Sequence, residues 1–147
     1  MKKLLKKTDP FRRKITRNLL NLIGFFKRNR NADVIIKESI KRVLICRPNH
    51  RLGNQLLITP LIQEVENVFP NARTDLFLKG NLGKLIFENY SSVDRLITLP
   101  KKHFKELHKY IYGWFILKTR KYDLVINADS GSSSGRLATQ ISNAELS

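Results

Sequence analysis

From residue 42 onward the apolar residues keep changing period, and that alternation restricts the fold more than any other feature of the sequence. Val43-Leu44-Ile45-Cys46 is apolar at every position, the pattern of a short strand buried on both faces. Leu56, Leu57, Leu61, Ile62, Val65, Val68 and Phe69 then recur at helical spacing. Pro60 must kink that helix or lie close to its start, and Pro70-Asn71 ends it. Residues 74–78 predict a second strand, 82–87 a short helix, and 93–99 a third strand closed by Pro100. Residues 101–119 read as a long amphipathic helix whose apolar stripe is Phe104, Leu107, His108, Ile111, Tyr112, Phe115 and Ile116. Within that stripe His108 is expected to be buried and hydrogen-bonded to a neighbour. Residues 122–127 predict a fourth strand, followed by a small polar loop at 130–135 and a helix from Arg136. A strand that recurs after each helix calls for an α/β fold, a Rossmann-like parallel sheet with helices on both faces.

In such sheets ligands bind just beyond the carboxyl ends of the strands. Two loops occupy that position. In Asn49-His50-Arg51-Leu52-Gly53-Asn54, Gly53 permits close approach of the backbone to a ligand and Asn54 is placed to cap the next helix. Exposed N–H groups there, with Arg51 and His50, favour an anion. The second loop, Asn127-Ala128-Asp129-Ser130-Gly131-Ser132-Ser133-Ser134-Gly135-Arg136, offers glycines and hydroxyls suited to a phosphate or a sugar. Neither contains GxxxxGK[ST] or GxGxxG, so a purely structural strand-to-helix turn is an equal alternative for each.

Charge separates the chain into two parts. Of a net charge of +16, residues 1–42 hold fourteen Lys/Arg against three acids, and residues 43–147 hold fourteen against nine. The arm, taken as residues 1–40, therefore carries most of the surplus, and the domain is taken as 41–147. At helical spacing Phe11, Ile15, Leu19, Leu22, Ile23 and Phe26 share one side, with Arg12, Arg13, Lys14, Arg17 and Lys27 around them. This is a basic amphipathic helix, suited either to an anionic membrane surface through residues 1–30 or to packing on its own domain. Its apolar run, broken by Asn21 and Gly24, is far short of the roughly 20 residues a bilayer span requires. No groove-reading or base-stacking motif accompanies the charge, so nucleic acid is not an expected partner. Cys46 is the only cysteine and lies in a strand, where it is expected to be a core residue. The three histidines lack metal-ligand spacing, and no metal or cofactor is expected.

The ordered set "RVLICRPNHRLGNQLLITPLIQEVENVFPNARTDLFLKG", "VDRLITLP" and "YDLVINADSGSSSGRLATQISNA" resembles the N-terminal half of glycosyltransferase family 9, the heptosyltransferases of lipopolysaccharide core synthesis. The resemblance runs from about Lys41 to Ala144. It implies the acceptor-side half of a two-domain glycosyltransferase B-type fold, with the C-terminal, donor-binding half absent from these residues. The chain is thus expected to be a fragment, a truncated gene product or one piece of a split protein, not active alone. The implied reaction is inverting and metal-independent sugar transfer from a nucleotide-sugar donor to a phosphorylated glycolipid acceptor. That implies a cytoplasmic protein, peripheral at the inner face of the cytoplasmic membrane. Where the family usually has its catalytic Asp after the loop glycine this chain has Asn54, whose amide cannot take up a proton. Asn127 likewise replaces a frequent Asp. Asp129 is then the expected base, Asn54 a catalytic-site residue, and Asn49, His50, Arg51, Gly53, Asn127, Ser130 and Arg136 the substrate-binding set. The alternative from the residues alone is a non-catalytic basic module that binds anionic lipid or nucleic acid.

Overall fold

The computed structural model describes residues 38–102, 104–129, 131–142 and 144. The arm, its proposed membrane contact through residues 1–30, and Ser130 lie outside them. From Ser39 onward the chain forms one compact unit. Its elements are β1 (Arg42–Arg47), α1 (Leu52–Leu56), α2 (Thr59–Val68), β2 (Arg73–Lys79), α3 (Leu82–Phe87), β3 (Val93–Leu99), α4 (Leu107–Thr119), β4 (Leu124–Asn127) and α5 (Ser133–Ile141). The four strands are parallel and ordered β3-β2-β1-β4. This is the Rossmann-like α/β sheet that the alternating pattern predicts.

Side chains alternate across the pleat, so each strand serves two cores. Leu44, Cys46, Phe77, Ile97 and Val125 pack with Leu117 and Tyr122 and with Ala138 of α5. Trp114 of α4 packs against Phe77, ring centroids 5.2 Å apart, and against Tyr110. On the opposite face Val43, Ile45, Leu76 and Leu78 are buried with Ile58, Leu61, Ile62 and Val65 from the α1–α2 segment and Phe87 of α3. Each fully buried side chain of this size contributes roughly 1.5–3 kcal/mol. Gly83 allows close packing on this side, because a Cβ there would lie 2.3 Å from Leu78 Cδ1 and force that side chain to shift. Cys46 is a core residue as expected, and burial pushes its thiol pKa far up.

The amino ends of the strands are tied by charge. Asp123 accepts from the backbone N–H groups of Lys41 and Arg42, each at 2.8 Å, and so aligns β1 with β4. Buried Asp75 accepts from the Tyr122 hydroxyl at 2.8 Å, and Arg120 Nε lies 3.2 Å from the same carboxylate. Burial raises the pKa of Asp75, while the Tyr122 hydrogen bond acts against that rise. A register shift between Thr74 and Asp75 skips one residue of β3, and that residue, Asp94, accepts from Arg120 Nη2 at 2.9 Å.

Three local expectations change. The helix after β1 is two segments separated by a turn at Leu57-Ile58, and Pro60 stands in the first turn of the second, where its missing N–H costs nothing. Helix α4 begins only at Leu107 and packs through Tyr110, Gly113, Trp114 and Leu117, so most of the stripe read from the sequence faces outward. The cause is that α4 is apolar almost all round, which leaves periodicity unable to choose its face. Gly113 chooses it instead. Its absent side chain lets the helix approach β3 until an ideal Cβ would sit 3.1 Å from Leu99 Cδ2. As a result His108 is exposed, not buried.

Candidate ligand site at the sheet's switch point

Strand order 3-2-1-4 reverses at β1. The chain first moves outward through β2 and β3, then returns to place β4 on the other side of β1. The loops leaving β1 and β4 therefore diverge to opposite faces, and the crevice between them is where α/β sheets hold ligands. These are the two loops singled out in the sequence.

Arg47, the last residue of β1, joins them. Its Nε donates to the Asn54 carbonyl at 2.8 Å and its Nη1 to the Ala128 carbonyl, at only 5% exposure. Burial lowers its pKa and the negative charge of Asp129 raises it, so this guanidinium and the Asp129 carboxylate act on one another. One rigid five-donor fork thus reaches both walls of the crevice. Gln55, fully buried, performs a similar task on the other side. Its amide nitrogen donates to the Asn49 carbonyl at 2.7 Å and the Lys79 carbonyl at 3.0 Å, holding the first loop against the end of β2. Arg47 and Gln55 are absent from the sequence-based site. A polar residue flanking an otherwise apolar run was the available signal for each.

Within the first loop, the Asn49 side chain accepts from the Arg51 N–H at 3.0 Å, a local turn that sets up α1. Arg51, with extended φ −84° and ψ 128°, occupies the capping position without a side-chain bond. Asn54 is the third residue of α1 and does not cap it, a correction to its expected role. With five residues, α1 also brings little dipole to an anion, so attraction at this loop rests on exposed His50 and Arg51. A Cβ at Gly53 would meet nothing within 4 Å, so the fold leaves open space there for a ligand to approach the backbone.

The second loop is organised from inside. Asn127 Oδ1 accepts from the Asp129 N–H at 3.0 Å, and Gly135 makes room for it, since a Cβ there would lie 2.8 Å from that same oxygen. Ser132 caps α5 by accepting from the Gly135 N–H at 3.2 Å, so this hydroxyl is spent on the helix. Asn127 thereby fixes the backbone that carries half-buried Asp129, and Arg136 is exposed in the first turn of α5. Asn49, His50, Arg51, Gly53 and Asn54 lie on the segment from β1 into α1, and Asn127, Asp129 and Arg136 on the segment from the end of β4 into α5.

Among the described residues no group of three His, Cys, Asp or Glu is arranged to hold a metal ion. A cavity of about 390 Å³ lies elsewhere, between α3 and edge strand β3, lined by Lys84, Phe87, Arg95 and Thr98 among others, and it contains none of the candidate residues.

No sequence-family model matches the chain, and no curated protein matches it. A solved structure does: the glycosyl transferase family 9 protein from Veillonella parvula DSM 2008, with a TM-score of 0.58 and 23% identity over 74% of this chain. The fold is that of one part of a family 9 glycosyltransferase. The chain spans only 30% of the length of that solved protein.

Proposed function

We propose that this chain is the acceptor-side domain of a family 9-like, heptosyltransferase-like glycosyltransferase, working with a donor-binding domain that these residues do not include. The observation that carries the reading is Arg47. Its guanidinium donates to the Asn54 and Ala128 carbonyls and so ties together the two segments that follow β1 and β4, which supports reading them as the two sides of one acceptor site. In the proposed reaction a hydroxyl of a phosphorylated glycolipid acceptor gives its proton to Asp129 and attacks the anomeric carbon of the donor. The nucleoside diphosphate leaves from the opposite side, with inversion. Asn54 orients the acceptor, and His50, Arg51 and Arg136 attract its phosphates. An acceptor of that kind is lipid-borne, which places the protein at the inner face of the cytoplasmic membrane.

The acceptor half can be tested alone. A phosphorylated lipopolysaccharide-core oligosaccharide should shift backbone amide resonances in residues 49–55 and 127–136, and a nucleotide-sugar alone should not. Joined to a donor-binding half, Asp129→Asn should lower transfer on the order of a hundredfold. Asn54→Ala should lower it only modestly. Silent Asp129→Asn together with abolished transfer in Asn54→Ala would show that Asp129 is not the base.

A further inference from the structure

We propose that the outward face of α4 is a docking surface for an anionic lipid bilayer. Phe104, Leu107, Ile111, Tyr112 and Phe115 are 99%, 54%, 58%, 63% and 61% exposed. Leu107, Ile111 and Phe115 recur at four-residue steps along α4, Tyr112 lies beside them and Phe104 just precedes the helix, so they group on one side rather than being scattered. The core does not need them. The opposite face of the helix, through Gly113, Trp114 and Leu117, already packs on the sheet.

Charge identifies what covers the patch. Residues 101–121 hold seven Lys/Arg and one acid, a net +6, while the whole of 43–147 is only +5. Arg120 is taken up by Asp75 and Asp94, which leaves six lysines against one acid in the segment that carries this apolar face, a surplus of +5 equal to that of the whole of 43–147. Lys101, Lys102, Lys105, Lys109, Lys118 and Lys121 are all exposed, and the single acid, Glu106, is paired with Lys109 at 2.6 Å. A second copy of the chain would bring two such segments together and meet repulsion. A bilayer satisfies both features at once, taking the aromatic and aliphatic side chains into the headgroup–acyl boundary and the lysines among the lipid phosphates. Helix α4 is too short to cross a membrane, and no described helix is long and apolar enough to do so. It lies on the surface. The inference is independent of sugar transfer and of residues 1–30.

The test uses the full chain with Ile111→Cys labelled by a polarity-sensitive fluorophore, native Cys46 being buried. A second label at exposed Gln63→Cys, on α2, serves as reference. With vesicles of phosphatidylglycerol in phosphatidylcholine, the Ile111 probe should shift to the blue and be quenched by lipid-borne quenchers. The Gln63 probe should not change, and phosphatidylcholine alone should have little effect. Phe104→Ser/Phe115→Ser should weaken the partitioning reported at position 111 about tenfold or more, and high salt should release it. A probe at 111 that stays in water while the protein sediments with the vesicles overturns the proposal. So does a blue shift without lipid in a protein that sediments as a dimer, which would make a second copy the occupant.

Discussion

Replacing Arg47 by methionine keeps most of the side chain's length and removes the guanidinium that spans the crevice. Two hydrogen bonds from a charged donor are lost, to the carbonyls of Asn54 and Ala128. Bonds of this type are worth about 1.5–3 kcal/mol each, and carbonyls left buried without a donor add to the loss. Against this, the burial that lowers the pKa of Arg47 is a cost that methionine does not carry. The balance is a destabilisation of about 2–4 kcal/mol, or a fall in Tm of roughly 10 °C or more for a domain of this size. Arg47→Lys separates charge from geometry. An ammonium keeps the attraction to Asp129 but is a compact point donor, so the lysine variant should recover about half the loss or less. Urea unfolding followed by Trp114 fluorescence gives the global term. Hydrogen exchange gives the local one, and the N–H groups of Asn54 and Ser132, bonded to Arg51 and Asp129 carbonyls, should lose protection beyond the global change. If Arg47→Met unfolds within about 0.5 kcal/mol of the parent and leaves exchange in both loops unchanged, the two walls are not held by this residue.

Gly135→Ala should displace the Asn127 side chain, whose oxygen lies 2.8 Å from the new methyl, and free the Asp129 N–H, visible as loss of exchange protection at Asp129 with a stability loss of about 1–3 kcal/mol. Tyr122→Phe removes the hydroxyl donated to buried Asp75 and should cost about 1–3 kcal/mol in thermal unfolding. Lys109 holds the pKa of Glu106 below the ordinary carboxylate value by hydrogen bond and charge, so Lys109→Met should move its carboxyl titration, followed by NMR, back upward. Because the folded-state pKa is the lower one, whatever this pair adds to stability is present above the ordinary value and lost as pH falls through the depressed one.

The strands are legible because parallel strands buried on both faces must be apolar at consecutive positions, as in Val43–Cys46, and the two candidate loops are the segments that leave the ends of β1 and β4. The orientation of α4 was not legible. Its residues are apolar on every side, and the packing face was chosen by Gly113 against Leu99, a contact between elements that no local period records. Arg47 and Gln55 escaped notice for a related reason. Their partners lie 81 and 24 residues away, at Ala128 and Lys79, and only the folded sheet brings those carbonyls within reach. Asn54 is a residue type suited to a cap, but it lies inside the helix. The helix starts earlier, at Leu52, once Asn49 has turned the chain.

Parallel strands end together, and that places the two proposed surfaces side by side. Arg47, Lys79, Leu99 and Asn127 close their strands at the same edge of the sheet, so the segment leading into α4 leaves from the edge that carries the crevice. Gly80 lies between the two. Its φ of 78° turns the chain after β2, and its missing side chain admits Lys101, whose Cε would lie 2.9 Å from a Cβ there, with His50 Cβ at 3.7 Å. The lysines that open the basic segment therefore begin near the candidate loop after β1 rather than at a distant surface. The same attraction that seats α4 on anionic lipid would then draw an acceptor's phosphates towards His50 and Arg51. Docking and acceptor capture would share one electrostatic field, so salt that releases α4 from the membrane should also weaken acceptor binding in the crevice.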